Sequence, residues 1–281
     1  MTDNPAGDQT DSRNRPVVIA GAGMAGLVCA LALHDVGQPV LVLEASDGVG
    51  GRIRSDRDAQ GFIIDRGFQV LLDGYPAARR WVDYPALRAL PFDSGANIWT
   101  GKRLVPLANP LLHPSAIFRD ATSTVFGLDD KLRLARLAIE ARRSDWQCAA
   151  EAAESPLGQR SARDALAAAG FGPRFIDRFA RPFWGGIQLD PSLSQSAGPM
   201  LFTLKMFLEG RAILPADGVG MMAATVAQRL PHGAIRVNTR VDALIRDEHG
   251  ANTGVRAAGE EVAASAVVVA MDPPAARELT G

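Results

Sequence analysis

Residues 17–27 read Val17-Val18-Ile19-Ala20-Gly21-Ala22-Gly23-Met24-Ala25-Gly26-Leu27: an uncharged apolar run, a glycine turn and the opening of a helix. The run before Gly21 suits a short buried strand. Met24 to Val36 suits a helix stopped by Gly37, and Val40-Leu41-Val42-Leu43-Glu44 reads as a second strand after Pro39. Gly21, Gly23 and Gly26 make a G-x-G-x-x-G between strand and helix, with Ala22, Met24 and Ala25 interleaved. Each glycine has a physical task. Gly21 makes the turn, Gly23 lets backbone approach a pyrophosphate, and Gly26 lets helix and strand pack closely. The helix start aims free N–H groups, and about half a positive charge, at whatever lies before it. Glu44 closes the second strand, where a carboxylate accepts hydrogen bonds from an adenosine ribose. This unit points to dinucleotide binding and leaves NAD and FAD both open.

Outward from that unit, 281 residues suggest about two domains. Thirty basic residues against thirty-one acidic ones leave a formal charge of −1, which supplies no global field for gathering nucleic acid. Cys29 and Cys148 suggest no disulfide framework and suit a reducing cytoplasm. His34, His113, His232 and His249 lack metal-ligand spacing, so no metal is expected. Pro16 to Leu33 is uncharged and follows Arg13 and Arg15, yet its glycine turn argues against a signal peptide or membrane span. The oligomeric state is not readable.

The expected organisation is a disordered tail over 1–14, a nucleotide domain beginning at 15–74, a mainly helical insertion over 75–230, and strands of 231–281 that rejoin the first sheet. Phe62-Ile63-Ile64-Asp65 and Gln69-Val70-Leu71-Leu72 read as short extended pieces. In the insertion, Leu128 to Arg143 places Leu128, Leu132, Ala135 and Ile139 on one helix face, with Lys131, Arg133 and Arg136 away from it. Its basic residues suit a solvated outer side, and contact with a membrane surface is the other reading left open. Ser161-x-x-Asp164 has the form of a helix start, Ser196 to Gly210 reads as a helix, and Asp217-Gly218-Val219-Gly220 as a turn into a helix from Met221 to Leu230. Strands follow at 234–237, 241–246, 253–257 and 266–270, with a hairpin turn at His249-Gly250.

The stretch after Glu44-Ala45 separates the cofactors: Ser46-Asp47-Gly48-Val49-Gly50-Gly51-Arg52-Ile53-Arg54-Ser55. With the first glycine turn, Gly50, Gly51, Arg52 and Ser55 match a G-G-R-x-x-[ST] loop. This combination resembles the flavin-containing amine oxidase superfamily, with its protoporphyrinogen oxidase and phytoene desaturase relatives. Physically, paired glycines let backbone lie against a cofactor and a fixed guanidinium neutralises diphosphate oxygens. Weaker correspondences are Asp65-Arg66-Gly67-Phe68, like a D-x-G segment whose backbone lies near the isoalloxazine, and Asn238-Thr239-Arg240-Val241, like a strand whose valine meets the adenine. Arg181-Pro182-Phe183-Trp184-Gly185-Gly186 resembles a substrate-domain landmark of desaturase-like members.

The resemblance implies an α/β fold: a Rossmann-like FAD-binding domain with an inserted, mainly helical substrate domain. It implies FAD as cofactor, held by Gly21, Ala22, Gly23, Met24, Ala25, Gly26, Glu44, Ala45, Gly50, Gly51, Arg52, Gly67 and Val241. The implied activity is that of an FAD-dependent oxidoreductase passing hydride from an organic small molecule (amine, porphyrinogen or polyene-like) to the flavin. No catalytic acid or base can be assigned. Members of the superfamily usually continue well past the position of Gly281, so the resemblance reaches the ADP pocket and not the completed redox site. A truncated FAD/ADP-binding fragment without catalysis and an NAD-dependent dehydrogenase stay open as alternatives.

Overall fold

The structure, a computed structural model, describes residues 15–68, 70–93, 95–99, 101–108 and 127–281. The expected tail over 1–14, Gln69 of the second extended piece and His113 lie outside the described residues. The principal strands are β1 Val17–Ala20, β2 Val40–Leu43, β3 Ser55–Arg57, β4 Ile63–Asp65, β5 Leu71–Leu72, β6 Gly95–Trp99, β7 Leu104–Ala108, β8 Ala212–Leu214, β9 Ile235–Arg236, β10 Val241–Arg246, β11 Asn252–Ala257, β12 Glu260–Ala263 and β13 Ala266–Val269. The principal helices are α1 Met24–Asp35, α2 Leu128–Arg143, α3 Ala162–Ala168, α4 Arg181–Gln188, α5 Gly198–Glu209, α6 Gly220–Ala227 and α7 Pro273–Thr280.

The chain forms two compact units. Of the described residues, one takes those from 15 to Val70, Trp81–Leu90 and Leu214–Gly281; the other takes those of Leu71–Arg80 and Pro91–Ile213. These limits differ from the boundaries expected after 74 and 230. The reason is chemical: the turn before α6 is hydrogen-bonded to β3 and β4, and Ala216 N–H donates to Leu87 O at 3.1 Å, so both segments belong to the first unit.

In the first unit, β1 lies inside a parallel sheet of order β9-β2-β1-β13. Val17 pairs with Val40 on one side and with Ala266 on the other. Every residue of β1 is buried, as continuous apolar sequence in a parallel strand requires. The late strands rejoin the first sheet through β9 and β13, whereas β10, β11 and β12 form a separate antiparallel sheet. Val18, Leu41 and Leu43 share one core cluster with Val255, Ala257 and Ala264 of that sheet and its exit. The Asp247–Gly250 turn closes with Gly250 N–H donating to Asp247 O at 3.0 Å. β12 and α7 were not anticipated. α7 starts where Asp272 accepts from Ala275 N–H at 3.2 Å, a capping pattern that Asp272-Pro273-Pro274 carries in the sequence.

The second unit packs around α5, whose Met200, Leu201, Phe202 and Met206 are buried. Phe171, Phe175, Phe179 and Phe183 follow every fourth residue, with ring centroids 4.2, 5.3 and 5.4 Å apart in sequence. A π-turn over Ile176–Ala180 runs into α4. Ser161 caps α3 as its sequence indicates, accepting from Asp164 N–H at 3.0 Å. The insertion is mainly helical, as expected, and it also carries short strands that the sequence reading did not place. β6 and β7 form an antiparallel hairpin with Ile98 opposite Val105 and Trp99 opposite Leu104, and β5 pairs with β8 through Leu71 and Ile213. Ile98 and Trp99 before Gly101, at φ 89°, and Val105 after it favour that hairpin.

α2 has the expected ends and the opposite face. Leu128, Leu132 and Ile139 are 69%, 57% and 50% exposed, while Leu137 and Ala141 are buried and Leu134 packs beside them. The helix thus carries two apolar rows, and the core receives the one with Leu134, Leu137 and Ala141. Asp129 and Asp130 in the first turn and Arg142 and Arg143 in the last complement the helix dipole. Lys205 reinforces the end, its Nζ donating to Ser144 O at 2.6 Å and pairing with Glu209 at 2.8 Å. Among the described residues no helix is long and apolar enough to cross a membrane.

Candidate functional site

The site is assembled at the carboxyl ends of β1 and β2, in the first unit. Gly21 has φ 111°, and a Cβ there would lie 2.6 Å from Ala270 O. A Cβ on Gly26 would lie 2.0 Å from Gly21 O, so only glycine permits α1 to approach this closely. Gly23 is different. A Cβ on it would meet nothing within 4 Å, which leaves its backbone face open. α1 begins at Gly23 with no capping side chain and no acidic residue in its first turn. Its leading N–H groups are thus available to an anion. Ala22 is buried, Met24 half-buried and Ala25 exposed.

Glu44 faces this turn. Its Oε2 accepts from Ala22 N–H at 2.7 Å, and its Oε1 accepts from the N–H and the hydroxyl of Ser46 at 2.8 and 2.7 Å. A carboxylate has about four acceptor directions, so Oε2 retains one. Burial pushes the Glu44 pKa up, but those donors and the Arg54 charge hold it below the ordinary carboxylate value. Ala45 is exposed beside it.

The loop after Ala45 docks on the turn. Gly50 N–H donates to Ala22 O at 2.8 Å, and Gly23 and Gly50 form a parallel bridge. Gly50 and Gly51 have φ 110° and 56°, and a Cβ on Gly51 would lie 3.4 Å from Gly23 Cα. Arg52 follows in a single 3₁₀ turn, Gly51–Ile53. Its side chain is exposed and has no hydrogen-bond or ionic partner among the described residues. Gly67 joins the group through Arg52, since a Cβ on Gly67 would lie 2.3 Å from Arg52 O. Val241 is less direct. Asn238 and Thr239 donate backbone N–H groups to Ser46 O and Glu44 O at 2.8 Å each, while half-buried Val241 packs on the Val18–Leu41–Leu43 cluster.

Several residues of this arrangement were not assigned roles from sequence. Ser46 and Arg54 secure the loop, with Arg54 Nη1 2.7 Å from Asp47 Oδ1. Asp65 Oδ1 accepts from Ser55 Oγ at 2.5 Å and from Val219 N–H at 3.0 Å, and Gly220 N–H donates to Ser55 Oγ at 2.8 Å. The motif positions Ser55 and Asp65 thereby fasten the turn before α6. A signal for Ser46 and Arg54 did exist: Glu44-x-Ser46 is a local turn pattern, and Arg54 repeats arginine two residues after Arg52.

The second unit contains an open cleft of about 520 Å³ lined in part by Arg79, Trp146, Lys205 and Glu209. Two of its cations are committed to helix ends, Arg79 donating to Glu209 O and Lys205 to Ser144 O. Among the described residues no group of three His, Cys, Asp or Glu side chains could hold a metal.

The first-unit geometry fits the ADP half of a dinucleotide: an open glycine face, uncapped helix N–H groups, a carboxylate at the strand end and an unpaired guanidinium. Comparison with known proteins narrows the class. Human lysine-specific histone demethylase 2 is 46% identical over 61 residues, covering 22% of this chain and 7% of the demethylase. A 15-cis-phytoene desaturase of Arabidopsis thaliana is 34% identical over 91 residues, 28% of this chain and 16% of the desaturase. The solved structure of wild-type putrescine oxidase bound to putrescine aligns with 95% of this chain and 60% of its own, with TM-score 0.66 and 22% identity. That likeness shows the fold, and the match covers less than two thirds of each relative's length. The family model for flavin containing amine oxidoreductases matches residues 24–280. The chain belongs to the flavin containing amine oxidoreductase family, whose cofactor is FAD.

Proposed function

We propose that Gly21–Gly26, Glu44 with Ala45, and Gly50–Arg52 hold the ADP half of FAD, and that the protein is an FAD-dependent oxidoreductase. The observation that carries the reading is the pairing of an open Gly23 backbone face with a Glu44 carboxylate bound to Ala22 N–H. In this reading the α1 amino end and the Arg52 guanidinium neutralise the diphosphate, and the remaining acceptor direction of Glu44 takes a ribose hydroxyl. Gly67 and Val241 belong to the same pocket, toward the ring system and the adenine. When bound, the flavin supplies the two-electron acceptor for hydride from substrate. The protein's share is to orient the cofactor and hold its charge.

The substrate class follows from the relatives: a putrescine oxidase, a lysine-specific histone demethylase and a 15-cis-phytoene desaturase support a small amine or a polyene-like apolar molecule. The free thiols of Cys29 and Cys148 suit a cytoplasmic, reducing setting. The outward apolar row of α2, beside Arg136, Arg142 and Arg143, supports peripheral contact with an anionic membrane surface.

The test is nucleotide binding by the 281-residue chain. Purified protein is expected to carry flavin absorbance or to acquire it with FAD, and to bind ADP in calorimetry. Gly23→Val should leave folding stability within about 1 kcal/mol, because its Cβ has space. The same substitution should lower ADP affinity about 100-fold, near 3 kcal/mol. Colourless protein that neither takes up FAD nor binds ADP would sink the assignment.

A further inference from the structure

Arg52 and Arg54 stand two residues apart and in unlike surroundings. Arg52 is exposed, whereas the Arg54 side chain is 16% exposed. The loop 46–50 closes over Arg54: a Cβ on Gly48 would lie 3.3 Å from its Nη2, and one on Gly50 3.2 Å from its Cγ. Nη1 donates to Asp47 Oδ1 at 2.7 Å and to Ser46 Oγ at 3.4 Å. Ser46 Oγ shares its proton between Glu44 Oε1 at 2.7 Å and Gly48 O at 3.0 Å. A path of donors therefore runs from Arg54 through Ser46 to the Glu44 carboxylate. Asp47 is 74% exposed, so its ion pair is solvent-screened and adds little stability by itself. What Arg54 offers instead is order in the loop and a positive charge behind Glu44.

We propose that Arg54 is a positioning residue for the nucleotide: it holds the Ser46–Gly50 loop against the glycine turn and, through Ser46, fixes the Glu44 carboxylate. This rests on the ADP-binding reading above. The Arg54 charge also belongs to the set that keeps Glu44 ionised despite its burial, after the bonds from Ala22 and Ser46. Removing it makes Glu44 easier to protonate, so on acidification ADP affinity should disappear at a higher pH.

Calorimetric titration with ADP across an acid pH series, on the unsubstituted chain, Arg54→Met and Arg54→Lys, separates the possibilities. Arg54→Met is expected to weaken ADP binding about tenfold at neutral pH and to move the acid limb upward. Arg54→Lys keeps the charge, so it should return the limb to its original position while recovering part of the affinity. Arg54→Met within about twofold of the unsubstituted chain and an unmoved acid limb would overturn the proposal. Equal losses in both variants with no movement of the limb would also overturn it, since that pattern describes a loosened loop alone. If the unsubstituted chain binds no ADP, the reading beneath falls and this inference falls with it.

Discussion

The two units satisfy their buried groups differently. In the first, the groups that shape the site meet at named atoms: Glu44 takes three hydrogen bonds from Ala22 and Ser46, and Asp65 and Ser55 take backbone N–H groups from Val219 and Gly220. In the second, the Phe171–Phe183 ladder and the buried face of α5 fill most of the space; among the described residues Trp184 Nε1 and both amide atoms of Gln188 are buried with no hydrogen-bond partner, and buried Asp190 is held by Ser192, Ser194 and Gln195. Directional contacts specify one backbone path and fail when a single atom is misplaced. A core held by volume keeps its fold through many exchanges of similar size. Substitutions of one kind should therefore give unequal effects in the two units.

Glycine to alanine gives the widest contrast when an enclosed glycine of the first unit is set against an open one of the second, which has enclosed glycines of its own, a Cβ on Gly158 lying 1.9 Å from Ala152 O. Gly26→Ala puts a methyl group 2.0 Å from Gly21 O, between two pieces of backbone that have no rotamer to yield. A loss of about 3 kcal/mol is expected. Gly186 is exposed within α4, and a Cβ there would meet nothing within 4 Å. Gly186→Ala should stabilise by about 0.5–1 kcal/mol, since alanine loses less backbone entropy in a helix. Urea unfolding can be followed by fluorescence, with Trp81 in the first unit and Trp99, Trp146 and Trp184 in the second. Similar effects at the two positions would show that the first unit is not specified by close backbone contact.

A smaller contrast lies inside the second unit, where Lys205 and Glu209 form an uneven pair. The Lys205 side chain is 7% exposed and that of Glu209 30%. Glu209→Ala strands a buried cation with Ser144 O as its remaining acceptor, at a cost of about 3 kcal/mol. Lys205→Met removes the charge and leaves a carboxylate that water reaches, which should cost about 1–2 kcal/mol. Both values come from the same unfolding curves. The reverse ranking would mean that the α2 carboxyl end, capped by Lys205, matters more than the buried charge.

The sequence was most legible where contacts are local and each glycine answers a geometric demand. β1, α1 and β2 fall within a residue or two of their expected limits, and Gly21, Gly23, Gly26 and Glu44 come together at one strand edge. The flavin family was legible for the same reason, because Gly50 and Gly51 dock on that turn within 30 residues of it and Arg52 follows them in the chain. Legibility ended where distant segments decide. Nothing near Ser55 or Asp65 announces that their partners are Val219 and Gly220. The β6–β7 hairpin was missed although Gly101 marks its turn, since its strands are short and it is the pairing of Ile98 with Val105 and their seat on the core that fix them. α2 had the right length and the wrong inward face, because both of its faces carry apolar residues and the core receives the one with Leu134, Leu137 and Ala141.

That last point is open to the smallest measurement. Leu132 and Leu137 are the same residue type on the same helix, 57% and 5% exposed. Leu137→Ala should cost about 2–3 kcal/mol, by loss of transfer free energy and a residual cavity in the core. Leu132→Ala should change stability by less than about 0.5 kcal/mol, having almost no burial to lose. If the outward row meets a lipid surface, the silent substitution becomes visible in another assay. Sedimentation of the full chain with phosphatidylserine vesicles at low salt should be present and weakened by Leu132→Ala, and it should fall as salt rises because Arg136, Arg142 and Arg143 are screened. No sedimentation at low salt removes the membrane contact and leaves the helix face intact. A stability loss at Leu132 as large as that at Leu137 would instead mean that the row is covered within the chain, and the two faces of α2 would have to be exchanged.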